Sequence, residues 1–218
     1  MNAGLHLAES IHAARLGDDM VLLDARGGQY YCLPEAADAF APGPTGRLVV
    51  MDSALWDDLR TLNLTGDLVP SQCPDHPPIA GADLPTMTPY SVSLFERWDG
   101  LASYGTMLRR YYGRPFGDLI DVARDTRPIS MRGPGVCDAL VERVAAFRKL
   151  LPWAPFPGVC LYRSFMLLVF LRRAGFDATW MFGVRTWPFE AHCWLQVEDT
   201  VLDDLAERVG SYTPILAV

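Results

Sequence analysis

No CxxC pair, no Cys/His spacing of a zinc site, no basic cluster and no apolar run of membrane length occurs in this chain. Its five cysteines, Cys32, Cys73, Cys137, Cys160 and Cys193, are odd in number and widely scattered. That pattern excludes a disulfide framework or a zinc module and predicts free thiols in a reducing compartment. No metal and no organic cofactor is expected. Basic residues gather only in pairs such as Arg109-Arg110 and Arg172-Arg173, against a net charge of −7, which argues against nucleic acid as a partner. The longest apolar run is closed by Arg172-Arg173, well short of the ~20 residues of a membrane span. Met1-Asn2-Ala3-Gly4-Leu5-His6 offers neither the basic nor the apolar part of a signal peptide. No membrane partner is therefore expected, and the expected location is cytoplasmic.

What the chain does have is material for a core. Half of its 218 residues are hydrophobic and 21% are charged, so a folded protein with one large domain, or a small one plus a medium one, is predicted. A peptide, a protein or a small molecule is the expected partner.

One cysteine stands where chemistry needs it. Pro157-Gly158 lead into Val159-Cys160-Leu161-Tyr162-Arg163-Ser164, and the longest apolar run, Phe165 to Leu171, follows at once. Proline and glycine forbid an earlier helix start, so Cys160 falls in a first turn, where unpaired amides and the helix dipole favour a thiolate. Most free cysteines are simply small buried hydrophobes. Cys160 differs in what lies downstream: Ala191-His192-Cys193-Trp194-Leu195-Gln196-Val197 reads as a strand, Glu198-Asp199 as a turn, and Thr200-Val201-Leu202 as a second strand ending in Asp203-Asp204. A thiol on a helix N-terminus, an imidazole on a strand packed against it and a carboxylate on the paired strand are the parts of a Cys-His-Asp site.

The neighbours of these residues have plainer roles. Trp194 shares the face of His192 and should shield its ring, while Cys193 points the other way and reads as structural. Cys137, near a helix start after Pro134-Gly135, has no histidine and acid strand to follow it and also reads as structural. The central helix should run from Val159 through Ala174, apolar nearly all round, with Gly175 ending it. A strand from Phe176 to Arg185 should put Ala178, Trp180, Phe182 and Val184 on one face and Thr179, Met181 and Gly183 on the other. Trp187 and Phe189 are candidate cleft-edge aromatics.

Cys160-Leu161-x-Arg163-Ser164, the apolar helix, Arg172-Arg173-x-Gly175, Gly183-Val184-Arg185, Ala191-His192-x-Trp194 and Val201-Leu202-Asp203-Asp204 together resemble the transglutaminase-like cysteine proteases of lasso-peptide biosynthesis, the B proteins. The resemblance covers roughly residues 95 to 218. It implies a leader peptidase that excises the leader from a ribosomally made precursor, with Cys160 as nucleophile, His192 as base and Asp203 or Asp204 as the acid. Hairpin geometry leaves the acid open. A two-residue Glu198-Asp199 turn sets Trp194 across from Asp203, and a three-residue turn sets His192 across from Asp204; the ending of the family's hairpin favours Asp204.

Upstream, Ile11 to Leu16, Met20 to Asp24 and Gln29 to Leu33 read as a three-stranded meander with turns at Gly17-Asp18-Asp19 and Ala25-Arg26-Gly27-Gly28. Pro34 should open a helix through about Phe40, Pro42-Gly43-Pro44 and Gly46 should break the chain, and Ser53 should cap a helix with Leu55, Trp56, Leu59 and Leu62 on one face. This segment resembles the PqqD-like leader-recognition element, a small winged-helix-like domain that some B proteins carry fused. The resemblance implies that the leader adds to an exposed sheet edge as an extra strand. Tyr30 and Tyr31 alternate, so one should enter the core and the other face a groove beside the next helix.

The resulting organisation is α+β: a winged-helix-like recognition domain over 1–72 with a three-stranded sheet plus helices, a linker over 73–90, and a transglutaminase- or papain-like α+β domain over 91–218. Four prolines between 74 and 85 should make the linker stiff and hold the domains apart, with His76 solvated. The second domain should open with helices over 91–112, 116–123 and 137–151. The partners implied are the precursor's leader and an asparagine-synthetase-like cyclase. Acyl transfer to an amine and a non-catalytic peptide-binding scaffold are the alternatives.

Overall fold

The computed structural model describes residues 5–43, 48–66, 79–86, 90–111, 113–125, 135–155 and 159–218. Pro44, Gly46, Cys73, His76, Pro134, Pro157 and Gly158, on which several sequence expectations rest, lie outside the described residues. In chain order the strands are β1 (Leu5–Leu7), β2 (Ile11–Leu16), β3 (Asp19–Asp24), β4 (Gln29–Leu33), β5 (Phe40–Pro42) and β6 (Leu48–Val50). After helix α1 (Ser53–Thr61) come β7 (Thr65–Gly66), β8 (Ala82–Asp83), α2 (Leu94–Tyr111), α3 (Phe116–Asp125), α4 (Asp138–Leu150) and α5 (Cys160–Arg173). The chain closes with β9 (Thr179–Arg185), β10 (Glu190–Val197), β11 (Thr200–Val201), α6 (Ala206–Val209) and β12 (Thr213–Ala217). The fold is α+β.

Three sheets result. The meander β2-β3-β4 has its strands where the sequence pattern puts them. A small sheet ordered β5-β6-β1-β7 backs it, and the third sheet runs β12-β9-β10-β11-β8, antiparallel except for the parallel β11–β8 pair. The expected helix after Pro34 does not form. Glu35 takes a left-handed φ of 55°, which stops helix propagation; a single 3₁₀ turn at Ala37–Ala39 follows, and Phe40–Pro42 joins the small sheet. Helix α1 is capped by Asp52, not Ser53: the Asp52 carboxylate accepts from the amides of Ala54 and Leu55. In the same way α2 starts at Leu94 because Ser93 and Glu96 form a capping box, the Ser93 amide donating to Glu96 Oε2 at 2.8 Å.

Helix α5 runs through the middle of the protein. Every residue from Ser164 to Arg172 is buried, as a helix apolar on all sides requires. Its end is a Schellman turn: Gly175, at φ +83°, donates to Arg172 and Phe176 donates to Leu171. Helices α2 and α4 pack on it, clamped by Arg143, which donates to Asp99 of α2 at 2.6 Å and to the Phe170 carbonyl at 2.8 Å.

The stretch expected to keep two domains apart does not do so. Ala82–Asp83 pairs with β11 as the sheet's edge strand. Strand β3 is buried on both faces: Met20 and Leu22 join Leu7, Phe40 and Leu59 in a small N-terminal core, while Val21 and Leu23 join α5, β9 and β12 in the large one. The apolar run Met20-Val21-Leu22-Leu23 is the pattern of a strand buried on both sides.

Gly183 of β9 ties this packing to the other face of the large sheet. A methyl group there would meet Trp194 Cζ3 and Tyr212 Cβ, each at 2.9 Å. Gly183→Ala should therefore destabilise the fold by about 1–3 kcal/mol, the usual cost of overpacking. Chemical denaturation measures it, and an unchanged midpoint would show that the two rings yield freely.

Candidate active site

Cys160 is the first residue of α5, with Val159 as its N-cap, so its amide belongs to the helix turn that has no intrahelical acceptors. His192 lies on β10 opposite Gly183 of β9. The period of two puts His192 and Trp194 on one face with their rings stacked, centroids 6.2 Å apart, and Tyr212 closes over the imidazole at 5.2 Å. His192 is 6% exposed. The opposite face of β10 carries Cys193 into the core against α5.

The acid beside the imidazole is Asp204: its Oδ2 lies 2.6 Å from His192 Nε2. The hairpin reaches this result by a route the sequence did not suggest. Glu198-Asp199 is a two-residue turn, with Val197 facing Thr200 and Gln196 facing Val201. Continued as a regular ladder, this register would bring Asp203, not Asp204, nearest to the histidine's face. Pairing ends instead after Leu202 donates to the Leu195 carbonyl. Asp203 then takes the place of the next ladder residue, its Oδ1 accepting from the Leu195 amide at 2.8 Å, and the bend swings Asp204 back over His192.

The charges follow from these contacts. With Nε2 donating to Asp204, Nδ1 is the ring nitrogen left for the thiol. The Cys160 thiol is held down to about 4. The first cause is a hydrogen bond from the Cys193 side chain; burial opposes it, and His192 and the Cys193 amide add to it. The Cys193 thiol is pushed well up, first by its bond to Cys160 and then by burial, so it stays protonated and donates. Burial alone would lower the imidazole, but Cys160 and Asp204 together raise it above the ordinary value. Burial would likewise raise Asp204, yet the Leu205 amide, His192 and Arg208 bring it below the usual carboxylate range. Arg163 and Arg208 approach Asp204 Oδ2 at 3.6 and 3.5 Å. The arrangement favours a thiolate–imidazolium pair oriented by a carboxylate.

Asp203 is different in kind. Burial raises its carboxyl to about 6, with the Leu195 amide and Arg163 opposing, and its Oδ2 is buried without a hydrogen-bond partner. A carboxyl whose folded pKa is raised favours the fold while protonated, and that contribution is lost as pH rises from about 4 through 6, at most roughly 3 kcal/mol. Asp203→Asn keeps the acceptor for Leu195 and removes the titration. Its Tm should hold up better than the parent's between pH 5 and 7.5; parallel Tm–pH curves for the two proteins would refute this role.

Sequence reasoning missed four contributors. Cys193, read as structural, hydrogen-bonds the Cys160 thiol; the signal was present, since the strand face opposite His192 is the one that meets α5. Arg163 and Arg208 flank the carboxylate. Tyr30 enters neither the N-terminal core nor a groove beside α1: it packs against the large core, and Tyr31 goes to the small one. Trp187 donates to Asp19 Oδ2 at 2.7 Å and Phe189 lies 5.7 Å from the Tyr30 ring, so both aromatics fold onto the N-terminal sheet at the cleft edge. Cys32, Cys137, Cys160 and Cys193 are all free thiols. Among the described residues no cluster of His, Cys, Asp and Glu could hold a metal, and no helix is long and apolar enough to cross a membrane.

Residues 116–217, which hold Cys160, His192 and Asp204, match the family model of the transglutaminase-like superfamily. No curated protein and no solved structure matches the chain. The segment is thus a transglutaminase-like domain, of a superfamily that includes cysteine proteases and acyl transferases.

Proposed function

We propose that this transglutaminase-like domain is a cysteine peptidase and that the chain is a leader peptidase of lasso-peptide biosynthesis, cutting leader from core in a ribosomally made precursor. The observation that carries the reading is the Cys160–His192–Asp204 constellation at the start of a buried helix. The thiolate of Cys160 attacks the carbonyl at the leader–core junction, forming the C–S bond. The Cys160 amide donates to the oxyanion. The His192 imidazolium gives its proton to the leaving amine, which frees the core's N-terminus. The neutral imidazole then takes a proton from water as the water attacks the thioester; collapse expels the Cys160 thiolate beside the restored imidazolium, and the leader's new carboxylic acid gives its proton to solvent. Asp204 keeps Nε2 protonated throughout.

The order of motifs from Cys160-Leu161-x-Arg163-Ser164 to Val201-Leu202-Asp203-Asp204 supports the lasso-peptide assignment. In this reading residues 1–72 act as the leader-recognition element, the leader adding as a strand to an edge of the β2–β4 sheet, and residues 91–218 cut. The cyclase that closes the macrolactam ring takes over the freed core. Neighbouring reading frames should include a short precursor, and the full chain, incubated with that peptide, tests the reading by intact mass. Hydrolysis gives two fragments whose masses sum to the precursor plus water. An amine adduct on the leader fragment would assign acyl transfer instead, and an unchanged precursor would overturn the peptidase reading.

A further inference from the structure

The catalytic pair borders two cavities of opposite character. One, of about 370 Å³, is lined by Arg163, Glu190, Arg208 and Tyr212 beside Cys160 and His192. The other, of about 180 Å³, is walled by Gly28, Tyr30, Phe116, Leu161 and Phe182, with Ala191 at its rim; among the described residues its lining has no charge apart from the reacting groups. We propose that the second cavity is the specificity pocket of the site: it takes a leucine- or phenylalanine-sized apolar side chain on the substrate residue whose carbonyl Cys160 attacks, and Tyr30 and Gly28 set its size. This rests on the reading of Cys160 as the nucleophile.

Size, chemistry and rigidity all favour such an occupant. A dry apolar cavity of about 150 Å³ holds benzene, so this one has room for a phenyl or branched aliphatic group and little more. Both Cys160 and His192 line it, which places it within one residue's reach of the reacting sulfur. Its walls are braced by ring contacts: Phe116 meets Phe182 edge-on at 5.4 Å, Phe182 lies 4.8 Å from Trp180, and Tyr30 rests 5.7 Å from Phe189. Burial and the two nearby thiols raise the Tyr30 hydroxyl, which stays neutral at working pH and brings no charge.

Two walls come from outside the transglutaminase-like segment. Gly28 sits in the β3–β4 turn at φ +71°, and a Cβ there would stand 2.7 Å from Phe116 Cβ. Glycine is what lets the turn close against α3 and complete the pocket. Residues of the N-terminal sheet thus take part in choosing the side chain that is cut, beyond any part in holding a leader.

Active-site-directed labelling of the full chain tests this. N-acetyl chloromethyl ketones of Gly, Asp, Leu, Phe and Trp are compared by the rate at which they alkylate Cys160, read by peptide mapping. Leu and Phe reagents should label about tenfold or more faster than Gly and Asp, the discrimination an apolar pocket gives against a missing side chain. Tyr30→Ala should move the preference toward Trp. Ala191→Leu, at an exposed rim position that burdens the fold little, should bring the Phe-to-Gly ratio close to one. Labelling of Cys160 at rates indifferent to the side chain would overturn the pocket alone, and no labelling of Cys160 by any reagent would overturn the nucleophile and the pocket together.

Discussion

Cys160→Ala should abolish precursor cleavage, lowering kcat by on the order of 10⁴-fold or more, while leaving the protein folded and still able to bind its substrate. The loss is large because the nucleophile, base and acid act as a unit, so removing the atom that forms the covalent bond forfeits nearly all that the others contribute. The fold should survive because Cys160 is only part-buried at the edge of the large core, where losing one sulfur costs about 1 kcal/mol. The variant loses an acceptor for the Cys193 thiol and a negative partner for His192; Cys193 remains a neutral buried thiol and His192 keeps Asp204 at 2.6 Å, so no charge is orphaned. Intact mass after prolonged incubation with precursor, a thermal melt, and fluorescence anisotropy of a labelled precursor read the three parts separately. Cleavage at an appreciable fraction of the parent rate, by protein with a normal melt, would remove Cys160 from the mechanism.

How far the site could be read in advance depended on the kind of signal each residue carries. Helix α5 and strand β9 were legible because their apolar periods are unbroken: Trp180, Phe182 and Val184 lie in the large core while Met181 lies on the other face with Trp194. Asp204 was the residue anticipated beside His192, but for a reason that does not hold. No three-residue turn exists; a broken ladder and the Asp203 side chain do the work, and side-chain capping of a strand leaves no periodic trace. Tyr30 and Gly28 were invisible as cleft residues because their role depends on how the β2–β4 sheet docks, which no local pattern encodes. The proline count of residues 74 to 85 suggested a spacer, whereas Val21 and Leu23 are part of the core around α5. Apolar area outweighs chain stiffness there: burying two such side chains is worth about 3–6 kcal/mol, and an extended linker opposes docking only if it cannot span the required path.

At pH 5 iodoacetamide should alkylate Cys160 about thirtyfold faster than an unperturbed thiol peptide, a figure set by two opposing effects. With its pKa held to about 4, most of Cys160 is thiolate at pH 5, against about 3 parts in 10⁴ for a thiol of pKa ~8.5, an advantage of roughly 3 × 10³-fold. A less basic thiolate is a weaker nucleophile, and over this span the loss is about 10²-fold at a Brønsted slope near ~0.45. The remainder is the expected margin. The rate should rise on an acid limb near the Cys160 value and stay flat past the ordinary imidazole range, because the raised His192 holds its proton there. His192→Ala should cut the pH 5 rate and move the acid limb upward. Cys193→Ala should move it upward as well, since the Cys193 hydrogen bond is the first cause of the depression, and this separates a donor to the thiolate from a mere packing residue, whose loss would leave the limb in place. A parent protein whose Cys160 reacts only as pH approaches ~8.5 would mean that no thiolate–imidazolium pair forms in the resting site.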